Sequence, residues 1–215
     1  GSFSKYSHEF QTITSAGEDT IYVSENNAMA VNKEVFEDEI LKSLGLDKGD
    51  LKEQKAIEVG NIFTLGTSKA EATGLFYVDE NGERKPVFMG SYGIGLGRLM
   101  GTVVETLSDD KGIIWPTSVA PFRVHVLALG KEKEVVKEAE KIFEKLSSAG
   151  LEVLYDDRQD LSAGEKFADA DLLGIPWRAV VSERSVKEGG IELKKRTEEK
   201  GQIVSLDKLL KILAP

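Results

Sequence analysis

The chain has 215 residues, with 28 Lys+Arg, 37 Asp+Glu, two His, no Cys and a formal net charge of −9. The length corresponds to one or two domains. The absence of Cys excludes disulfides, a thiol nucleophile and thiolate metal sites, and two histidines exclude a multi-histidine metal site. No apolar run approaches the ~20 residues of a membrane helix. The acidic balance disfavours nucleic acid as a partner, and the Gly-Ser start favours a fragment of a longer protein.

A proline pair divides the chain. Pro116 and Pro121 lie five residues apart, and because proline fixes φ and lacks a backbone donor, the pair predicts an extended connector. We place a domain boundary after residue 116. Residues 1–116 have a net charge of −8 and residues 117–215 a net charge of −1, so the acidity lies almost wholly in the first part.

The first part predicts an antiparallel meander that ends in a glycine-rich turn and a helix. Asn81-Gly82 favours a tight hairpin turn, because this dipeptide accepts the positive φ values that such turns need. These strands and helices are too few to close a larger domain, so we expect this part of the chain to be an incomplete domain. The predicted strands are residues 8–14, 20–24, 58–65, 73–79 and 85–90, and the predicted helices are residues 28–44 and 95–107, the latter with Leu96, Leu99, Met100, Val103 and Leu107 on its apolar face.

The second part alternates strand and helix patterns, which is typical of a largely parallel sheet covered on both faces. About 100 residues suffice for one such domain. We therefore expect an α/β domain with a mixed, mainly parallel sheet. The predicted strands are residues 123–129, 151–155, 177–182 and 191–196, and the predicted helices are residues 131–149, 164–173 and 205–213.

The chemistry of the first part concentrates in residues 89–98, MGSYGIGLGR. Gly93, Gly95 and Gly97 leave the backbone uncovered, so a flat or charged ligand can approach closely. The helix that begins there offers free N–H groups and a positive dipole end, and the guanidinium of Arg98 forms paired bonds with phosphate oxygens. Two interpretations stay open on spacing alone: a nucleoside triphosphate pocket, or a tight turn with a solvated arginine. The spacing matches neither the dinucleotide fingerprint nor a P-loop.

Residues 89–98 resemble motif 3 of class II aminoacyl-tRNA synthetases, in the form found in bacterial-type prolyl-tRNA synthetases. The resemblance covers nearly the whole chain apart from residues 33–57. It implies the C-terminal half of an antiparallel-sheet catalytic domain (α+β) in residues 1–116 and an α/β anticodon-binding domain in residues 117–215. The other blocks, in the family's order, are SHEF at 7–10 with AGED at 16–19, EVGNIFTLGT at 58–67, GIIWP at 112–116 with APF at 120–122, and GEKFADAD at 164–171 with GIP at 174–176.

The resemblance implies a proline–tRNA ligase of the cytoplasm, which uses ATP and Mg²⁺ to form prolyl-adenylate and passes the prolyl group to the proline tRNA. Arg98 would hold the γ-phosphate of ATP, above a floor formed by Gly93, Gly95 and Gly97. The resemblance also implies that the full-length enzyme is a homodimer and that it has no membrane partner. The implied proline pocket holds Ser91, Asn61, Thr64, Thr67, His8 and Glu9, each of which has a structural hydrogen bond as its alternative role.

Two departures from the family follow from the same resemblance. Motifs 1 and 2 would lie before residue 1, so we expect this chain alone not to form prolyl-adenylate. Many bacterial relatives carry an editing domain where only residues 33–57 intervene here, and 25 residues cannot build a separate core.

In the second part, charged side chains follow predicted strands at the edge where ligands of open α/β sheets bind. Unstacked anticodon bases can be read there by their edges. For Glu192, Lys194 and Arg196, which lie on the strand predicted over residues 191–196, a solvated edge strand remains the alternative. The candidate anticodon-binding residues are Asp157, Arg158, Lys166, Asp169, Glu192, Lys194 and Arg196.

Two other functions stay open. One is a non-catalytic, synthetase-like module that binds tRNA or another nucleic acid. The other is a small-molecule-binding α/β regulatory domain that uses the same glycine-rich turn. The intact Gly93-x-Gly95-x-Gly97-Arg98 pattern favours descent from a working enzyme, although fold analogy alone does not establish function.

Overall fold

The computed structural model describes residues 7–24 and 29–214, and the chain divides into two compact units, residues 1–106 and 107–215. The division lies ten residues before the proline connector, because a short hairpin formed by β8 (Ser108–Asp109) and β9 (Gly112–Ile113) packs within the second unit. Within the described ranges, none of the helices is both long and apolar enough to cross a membrane.

The first unit is built on a five-stranded antiparallel sheet with the long strand β4 at its centre. The strands are β1 (Ser7–Ile13), β2 (Asp19–Ser24), β3 (Met29–Asn32), β4 (Leu51–Gly66) and β7 (Met89–Ile94). Strand β4 pairs with β1 on one edge, and with β2 and then β7 on the other, while β3 extends the sheet beyond β2.

The remaining elements of the first unit surround this sheet. The predicted hairpin turn is confirmed: the Asp79 carboxylate accepts the backbone N–H groups of Asn81 and Glu83, and Gly82 has φ +79°. The elements are the hairpin strands β5 (Phe76–Val78) and β6 (Arg84–Pro86) and the helices α1 (Asp38–Ser43), α2 (Ser68–Thr73) and α3 (Leu96–Thr106).

Three predicted elements of the first unit are wrong. The helix predicted over residues 28–44 is mostly replaced by β3, a single 3₁₀ turn (Lys33–Val35) and the short α1, because pairing with β2 overrides the periodicity; Ala28 lies outside the described residues. The strand predicted from residue 73 begins only at Phe76, since Gly74 (φ +72°) ends α2. The strand predicted over residues 85–90 is split between β6 and β7.

The core of the first unit is small. One buried cluster joins Val31, Leu41 and Leu46. Helix α3 forms as predicted, but of its predicted apolar face only Val103 is buried, while Leu96 is 77% exposed and Met100 56% exposed. Much apolar surface of this unit therefore stays in contact with solvent.

The second unit has a five-stranded mixed sheet in the order β11-β10-β12-β13-β14. The first three strands are parallel, and β13 and β14 add in antiparallel fashion, which confirms the predicted mixed α/β sheet. Sequence analysis missed β14 and α6. The strands are β10 (Val124–Leu129), β11 (Val153–Asp156), β12 (Trp177–Ser182), β13 (Ile191–Lys195) and β14 (Gln202–Val204), and the helices are α4 (Lys133–Ser148), α5 (Ala163–Leu173), α6 (Glu183–Lys187) and α7 (Leu206–Leu213).

Helices α4 and α5 cover opposite faces of this sheet. Val126 on β10 belongs to the main core with Ile142 of α4, whereas the next residue, Leu127, packs with Ala170 of α5. Successive residues of a strand point to opposite faces. The chain therefore leaves β10 towards one face and leaves β11 towards the other. The segments that follow these two strands border a common crevice.

Candidate functional site

A β-bulge in β4 creates one polar face on the first sheet. Phe10 pairs with Gly60 and Gln11 with Glu58, so Val59 is an extra residue. Directly paired residues of antiparallel strands point to the same face. Glu58 and Asn61 therefore share a face although they are three residues apart. We call this the polar face; its members are Glu9, Gln11, Asp19, Asn32, Glu58, Asn61, Ser91 and Gly93.

Hydrogen bonds link the side chains of the polar face. The Gln11 amide donates to Glu9 at 3.0 Å and to Asp19 at 2.8 Å, and the Asn32 amide also donates to Glu9 at 3.0 Å. Asn61 donates to the Glu58 carboxylate at 2.9 Å. Because Asn32 lies on β3 and Glu9 on β1, the sheet curls around this face. The curvature gathers three carboxylates into one concave, acidic surface.

Arg98 reaches the polar face from the first turn of α3. Its Nη1 donates to the backbone oxygen of Glu58 at 2.9 Å, and its guanidinium lies 3.5 Å from the carboxylates of Glu58 and Glu18. The Gly95 N–H donates to the backbone oxygen of Val59, which fixes the start of the helix against β4. Arg98, the only charged residue among the predicted ATP-binding residues, therefore lies beside an acidic surface.

Two of the three glycines of the turn, Gly93 and Gly97, leave space for a ligand, whereas a Cβ on Gly95 would lie 3.4 Å from the Arg98 Cβ. A Cβ on Gly97 would meet no atom within 4 Å, and one on Gly93 would come no closer than 3.9 Å, to the Asn61 amide oxygen. Both glycines are exposed. The backbone of these two glycines is thus open to solvent.

The predicted proline-pocket residues divide between two faces. Glu9, Asn61 and Ser91 lie on the polar face with Gly93. His8 and Thr64 lie on the opposite face, because His8 pairs with Ile62 and alternates with Glu9, and Thr64 alternates with Phe63. Thr67 follows β4 and is the N-cap residue of α2. The structure brings three of the six predicted residues together with the glycine-rich turn.

In the second unit, the crevice between β10 and β11 has a volume of about 310 Å³ and is lined in part by Ala128, Gly130, Arg158, Gln159 and Lys166. Ser162 begins α5 beside it. Its hydroxyl accepts the Glu165 N–H while the Glu165 carboxylate accepts the Ser162 N–H, a reciprocal capping box. The capping fixes the loop that carries Arg158.

Arg158 is held by two carboxylates in this crevice. Its Nε and Nη2 donate to the two oxygens of Asp156 at 2.9 and 2.7 Å, and Nη2 also donates to Asp169 at 2.8 Å. These bonds hold the pKa of the Asp156 carboxyl at about 2, below its usual value. The Lys166 ammonium is buried and donates to the backbone oxygens of Ala128 and Asp156 at 2.8 and 3.3 Å. Lys166 thereby joins the carboxyl ends of β10 and β11.

The other predicted anticodon residues lie elsewhere. Glu192 and Lys194 are half-buried on one face of β13, and Asp157 is exposed. Burial lowers the pKa of Lys194, and Arg178, its direct partner on β12, lowers it further. The Arg196 guanidinium is buried and donates to both oxygens of Asp109 at 2.9 and 2.6 Å, so its observed contacts are structural.

Sequence analysis missed several of these side chains. Glu58 was not recognised because the bulge that turns it towards Asn61 has no sequence signal. Asp156 was not among the candidate residues, although it follows the strand predicted over residues 151–155 and is the main partner of Arg158. Gln11 and Asp19 had no clear pattern to reveal them, because β1 (SHEFQTI) and β2 (DTIYVS) do not alternate strictly between polar and apolar residues.

A comparison with known protein families identifies the class of domain to which the second unit belongs. Residues 123–214 match the family model described as "Anticodon binding domain". This range covers most of the second unit, with its mixed sheet and the crevice. The second unit therefore belongs to the anticodon-binding-domain family.

The chain is also similar to curated proline–tRNA ligases. It is 47% identical to the one from Persephonella marina over 163 residues, 45% identical to one from Dehalococcoides mccartyi over 163 residues, and 45% identical to the one from Bacillus pumilus over 167 residues. These matches cover 75–77% of this chain and 28–29% of the relatives' own length. The chain is thus a relative of the prolyl-tRNA synthetases and corresponds to a C-terminal portion of such an enzyme.

Proposed function

We propose that the chain forms part of an ATP-dependent proline–tRNA ligase. In the proposed reaction, a proline carboxylate oxygen attacks the α-phosphorus of ATP and pyrophosphate leaves. A ribose hydroxyl of the 3′-terminal adenosine of the proline tRNA then attacks the prolyl carbonyl carbon of the adenylate, and AMP leaves. The observation that carries the proposal is Arg98 beside the polar face, at the start of a glycine-rich turn whose backbone is open.

The polar face suits the amino acid. Proline carries a secondary ammonium, and Glu9, Asp19 and Glu58 give this concave surface the complementary charge. Ser91 keeps the nearby volume small. No nucleophilic side chain is required, because positioning and charge neutralisation supply most of the catalysis in phosphoryl chemistry.

Arg98 and the glycines suit the nucleotide. The guanidinium can form two parallel bonds with phosphate oxygens. Since Arg98 contacts Glu58 and Glu18 in this structure, triphosphate binding would replace those 3.5 Å ion pairs with shorter ones. Gly93, Gly95 and Gly97 would lie under the adenosine.

Mg²⁺ fits this site as a partner of the nucleotide. The described residues include no group of three or more His, Cys, Asp or Glu placed to hold a metal ion. Mg²⁺ is commonly bound by one or two carboxylates together with substrate phosphates, and Glu58 and Glu18 each lie 3.5 Å from Arg98. When bound, the ion would neutralise phosphate charge.

The second unit is proposed to recognise the anticodon of the proline tRNA, through the crevice with Arg158 and through Glu192 and Lys194 on β13. Because residues 117–215 have a net charge of −1, specificity would come from a few directed contacts rather than from general attraction to phosphates. The full-length enzyme is proposed to act as a homodimer in the cytoplasm.

The test is proline-dependent ATP–pyrophosphate exchange by the full-length protein that contains this chain. We expect Arg98→Ala to lower the exchange rate by roughly 100-fold or more, because it removes a preorganised charge from the transition state. Arg84→Ala is the matched control, since Arg84 lies over the Phe76 ring in the β5–β6 hairpin. Exchange with another amino acid, or equal rates for the two variants, would contradict the proposal.

The second candidate is a non-catalytic tRNA-binding module. It is favoured by the second unit, which has its own core and matches the anticodon-binding family independently of the first. The same protein would then bind proline tRNA selectively but show no exchange.

A further inference from the structure

The unused donor of Arg158 defines what the crevice between β10 and β11 can bind. Nε and Nη2 are engaged by Asp156 and Asp169, whereas Nη1 donates to none of the residues in the described ranges. A guanidinium held on one edge can offer its remaining N–H groups in only one direction. Arg158 therefore presents a directed donor at the crevice wall.

The support behind Arg158 is rigid. Asp156 is buried, and its Oδ1 lies 3.5 Å from the Lys166 ammonium, which is 96% buried at its side chain. Lys166 also ties β10 to β11 through the two backbone oxygens that it contacts. Lys166 and Asp156 are thus positioning residues for Arg158: Asp156 is buried behind it, and Lys166 contributes to the crevice wall while its ammonium is bonded to backbone oxygens.

The charge of the side chains around Arg158 favours a neutral base edge over a phosphate as the ligand. The cluster has two cations, Arg158 and Lys166, and two carboxylates, Asp156 and Asp169, so its formal charge is zero. A phosphate would bring a negative charge to a site whose cations are already neutralised, and its lost hydration would not be offset. A neutral acceptor on a base edge, such as O6 or N7 of guanine, needs only a directed N–H donor.

The crevice is large enough to admit a single base. Its volume of about 310 Å³ lies at the lower end of the ~300–1,000 Å³ of ligand pockets. Lys131 also lines the crevice, is exposed and lies outside the neutral four-residue cluster, so a phosphate next to the bound base would contact Lys131 rather than Arg158.

We propose that this crevice takes a single unstacked RNA base by its acceptor edge, that Arg158 reads this base through Nη1 and does not bind a phosphate, and that Asp156 and Lys166 hold it in place. The inference rests on the proposed anticodon recognition and adds which contact carries the sequence discrimination.

The test measures binding of the 215-residue chain to proline tRNA and to a tRNA with an unrelated anticodon, over a series of salt concentrations. Arg158→Lys keeps the charge but loses the planar fork. We expect it to reduce the preference for proline tRNA by roughly 5- to 150-fold and to leave the slope of affinity against salt unchanged. Lys131→Ala is the comparison: it should weaken both RNAs alike and lower that slope by about one.

Asp156→Asn tests the positioning role. We expect the same loss of preference as for Arg158→Lys, with an unchanged salt slope. The unfolding midpoint is measured alongside; if this variant does not fold, Arg158→Lys alone decides. Retained preference in Arg158→Lys, or equal weakening of both RNAs with a lower slope in Arg158→Ala, would overturn the inference. If the unaltered chain does not distinguish the two tRNAs, the proposed anticodon recognition itself is overturned.

Discussion

His125 shows how burial changes the chemistry of a single side chain. It lies on β10, is 3% exposed, and its Nδ1 has no partner among the residues that the structure describes. Burial lowers the pKa of His125 from 6.5 to about 4, against the attraction of Asp156 and Asp169, while Arg158 and Arg178 add to the lowering. The folded protein therefore keeps this imidazole neutral at pH values where the unfolded chain protonates it.

This difference predicts a pH dependence of stability. Between about pH 6.5 and pH 4 the unfolded state binds more protons, so the free energy of unfolding falls as the pH is lowered, by up to roughly 3 kcal/mol. We expect His125→Leu to remove most of this loss in urea titrations at pH 7 and pH 5. The other titrating groups are common to both proteins and cancel in the comparison. An equal loss in the variant would contradict the assignment to His125.

At the scale of elements, close backbone approaches fix the second unit. Gly174 ends α5 with φ +70°, and a Cβ there would lie only 1.8 Å from the backbone oxygen of Ile113 in β9. Arg196 and Asp109 hold the same hairpin through two hydrogen bonds, which also hold the pKa of the Asp109 carboxyl well below its usual range. The hairpin is thus part of the domain and not a linker.

Two glycines separate the effect of backbone conformation from that of close contact. Gly189 has φ +71°, almost equal to that of Gly174, but a Cβ there would meet no atom within 4 Å. We expect Gly189→Ala to cost about 1 kcal/mol of unfolding free energy, through the left-handed conformation alone. Gly174→Ala should cost at least ~2 kcal/mol more, because backbone must move. Equal urea midpoints for the two variants would contradict this explanation.

At the scale of the whole molecule, the two units differ in how much apolar surface they bury. The second unit has one large core that joins β10 and β12 to α4 and α7. In the first unit, the face opposite the polar face carries Phe10, Ile62, Tyr92 and Ile94, which are 56, 45, 82 and 68% exposed. Exposed apolar patches of this kind are unusual on a soluble monomer.

We therefore expect the native chain to enhance the fluorescence of an apolar dye such as anilinonaphthalene sulfonate, and to do so through this face. Tyr92→Ser should reduce the enhancement. Val78→Ser is the matched control, because Val78 is 68% exposed but lies on the β5–β6 hairpin. Equal reductions by the two changes would show that the dye binds elsewhere.

The sequence by itself determined most strands and helices of the second unit, though not β14 or α6. It also determined the hairpin at Asn81-Gly82, the helix that begins after Gly95, and the family, because these depend on local periodicity, turn chemistry and motif residues. Only the tertiary structure decided that His8 and Thr64 lie away from Asn61, that Glu58 joins Arg98, and that Lys166 and Arg196 are buried supports. These outcomes depend on a bulge, on strand pairing and on burial. Such features arise between segments distant in the chain, so no local pattern records them.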